Sequence, residues 1–108
     1  MTEKPSSSGW VAVRCVLHDP ERSSYEERIT LWRTGDLDGA LDLALDEADK
    51  YAEILEMENL GLAQGYLLAD DPAVSGAEVF SLMRVSQLPA KEYLTQFFNT
   101  GTEHQRAV

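Results

Sequence analysis

The chain reads as a single α+β domain, a ββαββα two-layer sandwich with a four-stranded antiparallel sheet and two helices on one face. Three observations predict it. Two β-rich runs near the start are joined by a short polar turn. A long stripe of apolar residues at three- and four-residue steps follows them. A later segment then echoes the second run, with Glu78 set against Glu27. The 108 residues, 44% hydrophobic and 26% charged, have the size and balance of one globular domain.

Residues 1–8 are polar, with Pro5 and three serines, and read as a disordered lead-in without the apolar stretch of a signal peptide. The domain is expected over 9–101. Trp10 to Leu17 is the first strand, closed by the turn signal His18-Asp19-Pro20. Tyr25 to Arg33 is the second, and the short polar connection makes the pair an antiparallel hairpin. Thr34-Gly35 breaks the pattern, and Asp36 is placed to cap a helix, its carboxylate accepting free backbone N–H groups of the first turn. Behind it Leu37, Ala40, Leu41, Ala44, Leu45, Ala48, Tyr51, Ala52 and Leu55 form one apolar stripe. Gly39 costs propensity in that first turn without a reason visible in the sequence.

After the punctuation at Asn59 to Gly61, Leu62 to Ala69 is a third, mixed run that ends at Asp70-Asp71-Pro72. Glu78 to Arg84 is the clearest remaining strand. It matches Glu27 to Arg33 in Glu, Leu and Arg, with Ile/Phe and Thr/Ser exchanged, so the second half is expected to repeat ββα. Pro89 suits a first helical position. Tyr93, Leu94, Phe97 and Phe98 then supply the apolar side of a short helix, and 102–108 read as a frayed tail.

A sheet covered by helices on one side leaves a second face. With Ile29, Leu31, Phe80 and Leu82 placed under the helices, that face holds Trp10, Val16, Trp32, Val79 and Met83. This is too apolar for water alone, since aromatic residues and Met concentrate at contact surfaces. A homodimer, or another protein, is the expected cover.

The formal net charge is -10, from 19 acidic and 9 basic side chains. Such an excess argues against nucleic acid and anionic membranes as partners. No apolar run approaches the roughly 18 residues of a membrane span. The single Cys15 allows no internal disulfide, which makes the cytoplasm the expected compartment. The charge is concentrated: Asp38, Asp42, Asp46, Asp49, Glu53 and Glu56 form a ridge opposite the apolar stripe, with Lys50 as the one base between residues 34 and 60. Such a ridge is a solvated helix face or a site for a basic partner, as an inhibitor or immunity-type protein needs.

Reactive chemistry is sparse. Cys15 lies in a Val/Leu-rich strand and reads as a small hydrophobe. His18 beside a turn reads as structural. No Cys or His pair has metal-ligand spacing and no Gly-rich phosphate loop is present, so neither metal nor cofactor is expected. Arg33 and Arg84, at the ends of equivalent strands, are expected to meet Glu27 and Glu78 as ion pairs, or to hold a small acid bidentately.

Taken as a set, Trp10 to Cys15, Tyr25 to Trp32, Tyr51-Ala52-Glu53, Leu60 to Gln64, Glu78 to Arg84 and Glu92-Tyr93-Leu94 with Phe97-Phe98 resemble a small bacterial family known as domain of unknown function 4288. The resemblance covers about residues 9–106 and implies a stand-alone bacterial protein of this size. It implies no reaction, cofactor or catalytic residue. The expected function is therefore a non-catalytic interaction module, homodimeric through the open sheet face. The acidic inhibitor and a small-ligand binder using Arg33, Arg84, Glu27 and His18 are the rivals.

Overall fold

A computed structural model describes residues 8–99, 101, 105 and 106. The expected tails at 1–8 and 102–108 lie outside the described residues apart from Ser8, Gln105 and Arg106. Ser8 belongs to the domain: its hydroxyl donates to the Leu68 carbonyl at 2.9 Å and accepts the Trp10 N–H at 3.1 Å.

The element order is β1 (Trp10–Asp19), β2 (Ser24–Arg33), α1 (Leu37–Leu55), β3 (Glu58–Leu67) and α2 (Ala90–Phe97). The sheet is antiparallel with order β2-β1-β3, so the first strand is central and flanked on both sides. The β1–β2 turn is tied by Asp19, whose carboxylate accepts the Glu21 and Arg22 N–H groups at 3.1 and 3.2 Å and the Arg22 guanidinium at 2.8 Å. Those bonds, the guanidinium foremost, hold the Asp19 carboxyl below its usual pKa.

On the other side β3 carries an irregularity. Cys15 faces Ala63 and Leu17 faces Asn59, so two steps on β1 oppose four on β3. Gly61 takes the turn at φ +77°, a left-handed conformation that costs glycine little, and its N–H is held by the Asn59 side chain at 3.0 Å.

Asp36 caps α1 as expected, accepting the Gly39 N–H at 2.6 Å. The same cap explains Gly39. A Cβ there would stand 2.9 Å from the Asp36 carboxylate oxygen, so a larger residue would crowd the group that starts the helix. Glu56, at φ 56°, turns the chain left-handed and ends it.

The core is the helix–sheet seam. Ala40, Ala44, Ala48 and Ala52 are the buried residues of α1, and the first three pack on Val11, Val13 and Cys15 of β1. Small side chains at four-residue steps let the helix lie close to the strand: the Cys15 thiol is 4.0 Å from the Ala44 carbonyl oxygen. Leu37, Leu41 and Leu45 close the flanks.

Two expectations are corrected. Among the described residues there are three strands, not four, and the ββα unit is not repeated: residues 78–84 belong to no strand. The phase of β2 is also inverted. The register sets Trp32 beside Val11 and Arg28 beside Cys15, which places Trp32 under α1 and turns Ile29 and Leu31 outward, 46% and 40% exposed. The reason is a polar anchor on the helix side. Arg28 donates two bonds to Glu47 of α1, at 2.9 and 3.1 Å, and lies 3.6 Å over the Tyr51 ring. The Tyr51 hydroxyl in turn donates to Glu26 at 2.7 Å. The bond to Glu47 raises the Arg28 pKa, and the bond to Glu26 raises that of Tyr51.

Candidate interaction surface

A three-stranded sheet has two faces, and α1 takes only one of them. The other face is formed by Trp10, Ala12, Arg14, Val16 and His18 of β1, with Ile29 and Leu31 of β2 and Gln64 and Tyr66 of β3 beside them. Trp10 and Val16 lie on this face and are half-buried there; Trp32 is not part of it. Trp32 instead donates its indole N–H to Thr30 at 2.7 Å on the helix side.

The remaining chain crosses this face. After the turns at 70–77, an arm without regular secondary structure over residues 78–88 leads into α2. Phe80 meets the sheet: its ring centre is 6.1 Å from that of Tyr66, and the Arg14 guanidinium lies 5.1 Å above it. Glu78 accepts the Tyr66 hydroxyl, which raises the Tyr66 pKa. The short helix α2 is thus not beside α1. Its residues share a cleft with Arg14 and Glu27 on the opposite side of the sheet, which corrects the expectation of two helices on one face.

The arm alternates as a strand does. Phe80, Leu82 and Arg84 line the cleft. Val79, Met83 and Val85 fall between them, and Met83 is 92% exposed. The helix α2 contributes Tyr93 and Phe97 to the cleft wall but buries no residue of its own.

The polar residues singled out earlier are regrouped. Glu27 stands 3.6 Å from Arg14, not at Arg33, and Glu78 is held by Tyr66. Arg84 donates to the Tyr93 hydroxyl at 2.9 Å and lies 4.2 Å over the Phe97 ring. Of the expected four-residue cluster only Glu27 and Arg84 share the cleft; Arg33 is exposed at the end of β2. His18 stacks on Tyr25 at 4.4 Å and faces Glu58 at 3.4 Å, away from that cleft.

Asp38, Asp42, Asp46, Asp49, Glu53 and Glu56 are all exposed on α1, and Asp49 accepts the Asn59 side-chain amide at 2.8 Å. Among the described residues no three His, Cys, Asp or Glu side chains gather to hold a metal ion, and no helix is long and apolar enough to cross a membrane. Cys15 is buried, and burial pushes its thiol pKa up, the opposite of what a nucleophile requires.

Arg14 and the aromatic walls were missed in the sequence. Arg14 sits in an otherwise apolar run, Trp-Val-Ala-Val-Arg-Cys, where a charge every other residue has to face out of the core, and that is the signal that marks it. No family model, curated protein or solved structure matches the chain.

Proposed function

We propose that this chain is a small, non-catalytic interaction module of the cytoplasm that works as a homodimer, with the outward side of the arm meeting its counterpart on a second copy. One observation carries the reading. Residues 79–98 form an irregular arm and an eight-residue helix that bury nothing fully, while Val79, Met83 and Val85 are exposed to solvent. A helix of that length is unstable alone in water, and apolar side chains left together at the surface mark a contact site. Two arms laid side by side cover these side chains between copies. Of the surface expected at the outset, Val79 and Met83 stay in the interface; Trp10 and Val16 lie on the sheet face behind the arm.

Light scattering after size exclusion tests this. A dimer of two 12.0 kDa chains is expected at about 50 µM, and Met83→Glu with Val85→Glu gives a folded monomer. A monomeric parent at that concentration removes the reading.

The exposed carboxylate ridge of α1 supports a second reading, an inhibitor-type protein that docks on a basic enzyme. Reversing the charge at Asp42 and Asp49 then abolishes partner recovery in a pull-down, and undiminished recovery excludes the ridge.

A further inference from the structure

The inward side of the arm holds a separate chemistry. The cleft between the arm, α2 and the sheet has a volume of about 570 Å³, within the range of small-molecule sites. Two guanidiniums border it. Each lies over an aromatic ring, Arg14 over Phe80 at 5.1 Å and Arg84 over Phe97 at 4.2 Å. A guanidinium carries its N–H donors in its own plane, where they fit a carboxylate edge-on.

The two arginines differ in what they have left to give. Arg14 is spent on Gln64, at 2.5 Å, and on Glu27, at 3.6 Å. Arg84 donates to the Tyr93 hydroxyl, and no carboxylate of the described residues pairs with it. Arg22 and Arg28, by contrast, each hold a carboxylate oxygen within 3 Å, at 2.8 and 2.9 Å. Arg33 also has no carboxylate partner among the described residues, but Arg84 is the arginine of the aromatic cleft that lacks one.

We infer that this cleft binds a small planar aromatic monocarboxylate, with its ring against Phe80 and Phe97 and its carboxylate on the free edge of Arg84. Arg14, Arg84 and Glu27 leave the cleft with one net positive charge, which suits a monoanion; Glu27 opposes a dianion. The acidic ridge of α1 lies on the other side of the sheet, roughly a layer spacing of about 10 Å away or more. At physiological salt that distance exceeds the screening length of about 8 Å, so repulsion of the ligand by the ridge is largely screened. The inference is independent of self-association, which uses the alternate residues of the arm.

The test uses the full chain, labelled with ¹⁵N, and two probes of one shape: 2-naphthoate and the neutral 2-naphthylmethanol. Naphthoate is expected to give saturable shifts confined to residues 80–84 and 93–98. Arg84→Gln weakens it at least about tenfold, or about 1.4 kcal/mol, and leaves naphthylmethanol unchanged. Arg33→Gln, at an exposed arginine outside the cleft, leaves both probes unchanged. Equal binding of the two probes by the parent protein overturns the inference. So does undiminished naphthoate binding by Arg84→Gln, an equal loss in Arg33→Gln, or no saturation by about 10 mM. Light scattering on the same samples reads the dimer separately.

Discussion

Replacing Ala44 by leucine asks whether α1 lies as close to the sheet as its alanine stripe implies. Ala44 is 1% exposed, and its carbonyl oxygen is 4.0 Å from the Cys15 sulfur on β1. Leucine and alanine differ little in helix propensity, so a change in stability reports on packing. Were there room at the seam, three added carbons at about 0.8 kcal/mol each would stabilise the fold by about 2 kcal/mol. With the seam closed, overpacking costs about 1–3 kcal/mol. The two cases differ in sign. The structure predicts a loss of about 2 kcal/mol, which lowers Tm by about 8–16 °C in a domain of this size. Thermal and urea unfolding followed by circular dichroism measure it, with Lys50→Leu on the exposed side of α1 as a control within about 0.5 kcal/mol of the parent. An Ala44→Leu protein that melts at or above the parent, with an unchanged m-value, refutes the close-packed seam.

Three further outcomes follow from the anchors around that seam. A double-mutant cycle of Arg28→Met and Glu47→Gln is expected to show a coupling of about 1–2 kcal/mol, because the pair is two-pronged and half-buried; a value under about 0.5 kcal/mol makes it an ordinary solvated pair. Gly39→Ala is expected to forgo the gain of about 1 kcal/mol that propensity offers, and to recover it when Asp36→Ala has already removed the crowded cap; equal gains in both backgrounds refute the steric account. The pH limbs have opposite signs. Asp19 has a lowered folded pKa, so its contribution is present above the ordinary carboxyl range and is lost as pH falls through the folded value. Tyr51 has a raised folded pKa, so its contribution is present below the ordinary tyrosine value near 10 and is lost as pH rises through the folded one. Asp19→Asn flattens the acid limb of a stability profile and Tyr51→Phe the alkaline limb; an unaltered limb in either variant counts against the assignment.

What the sequence disclosed depended on whether its signal was local. The hairpin, the Asp36 cap and the stripe of α1 rest on neighbours a few residues apart, and they stand as read. The phase of β2 does not. Ile29 and Leu31 look like the core side because they are the larger aliphatic pair, yet Glu26, Arg28, Thr30 and Trp32 are the residues that turn to the helix. Their partners Glu47 and Tyr51 lie on another element, so the pattern becomes visible only once α1 is placed. The segment from Glu78 to Arg84 alternates correctly for a strand, and its alternation survives in the arm. Alternation alone does not name the neighbour that completes a ladder, and none does so among the described residues. The cleft was half legible: Glu27 and Arg84 were marked, while Arg14 and the rings that frame it come from strands, arm and helix far apart in the chain.

Cys15 gives the seam its own gauge. The thiol is sealed beneath Ala44, and burial keeps it protonated at neutral pH, so a maleimide or disulfide reagent reaches it only when the helix peels off the strand. Labelling speed therefore counts those openings in the native protein, with no engineered tag, and separates a breathing scaffold from events confined to the C-terminal segment.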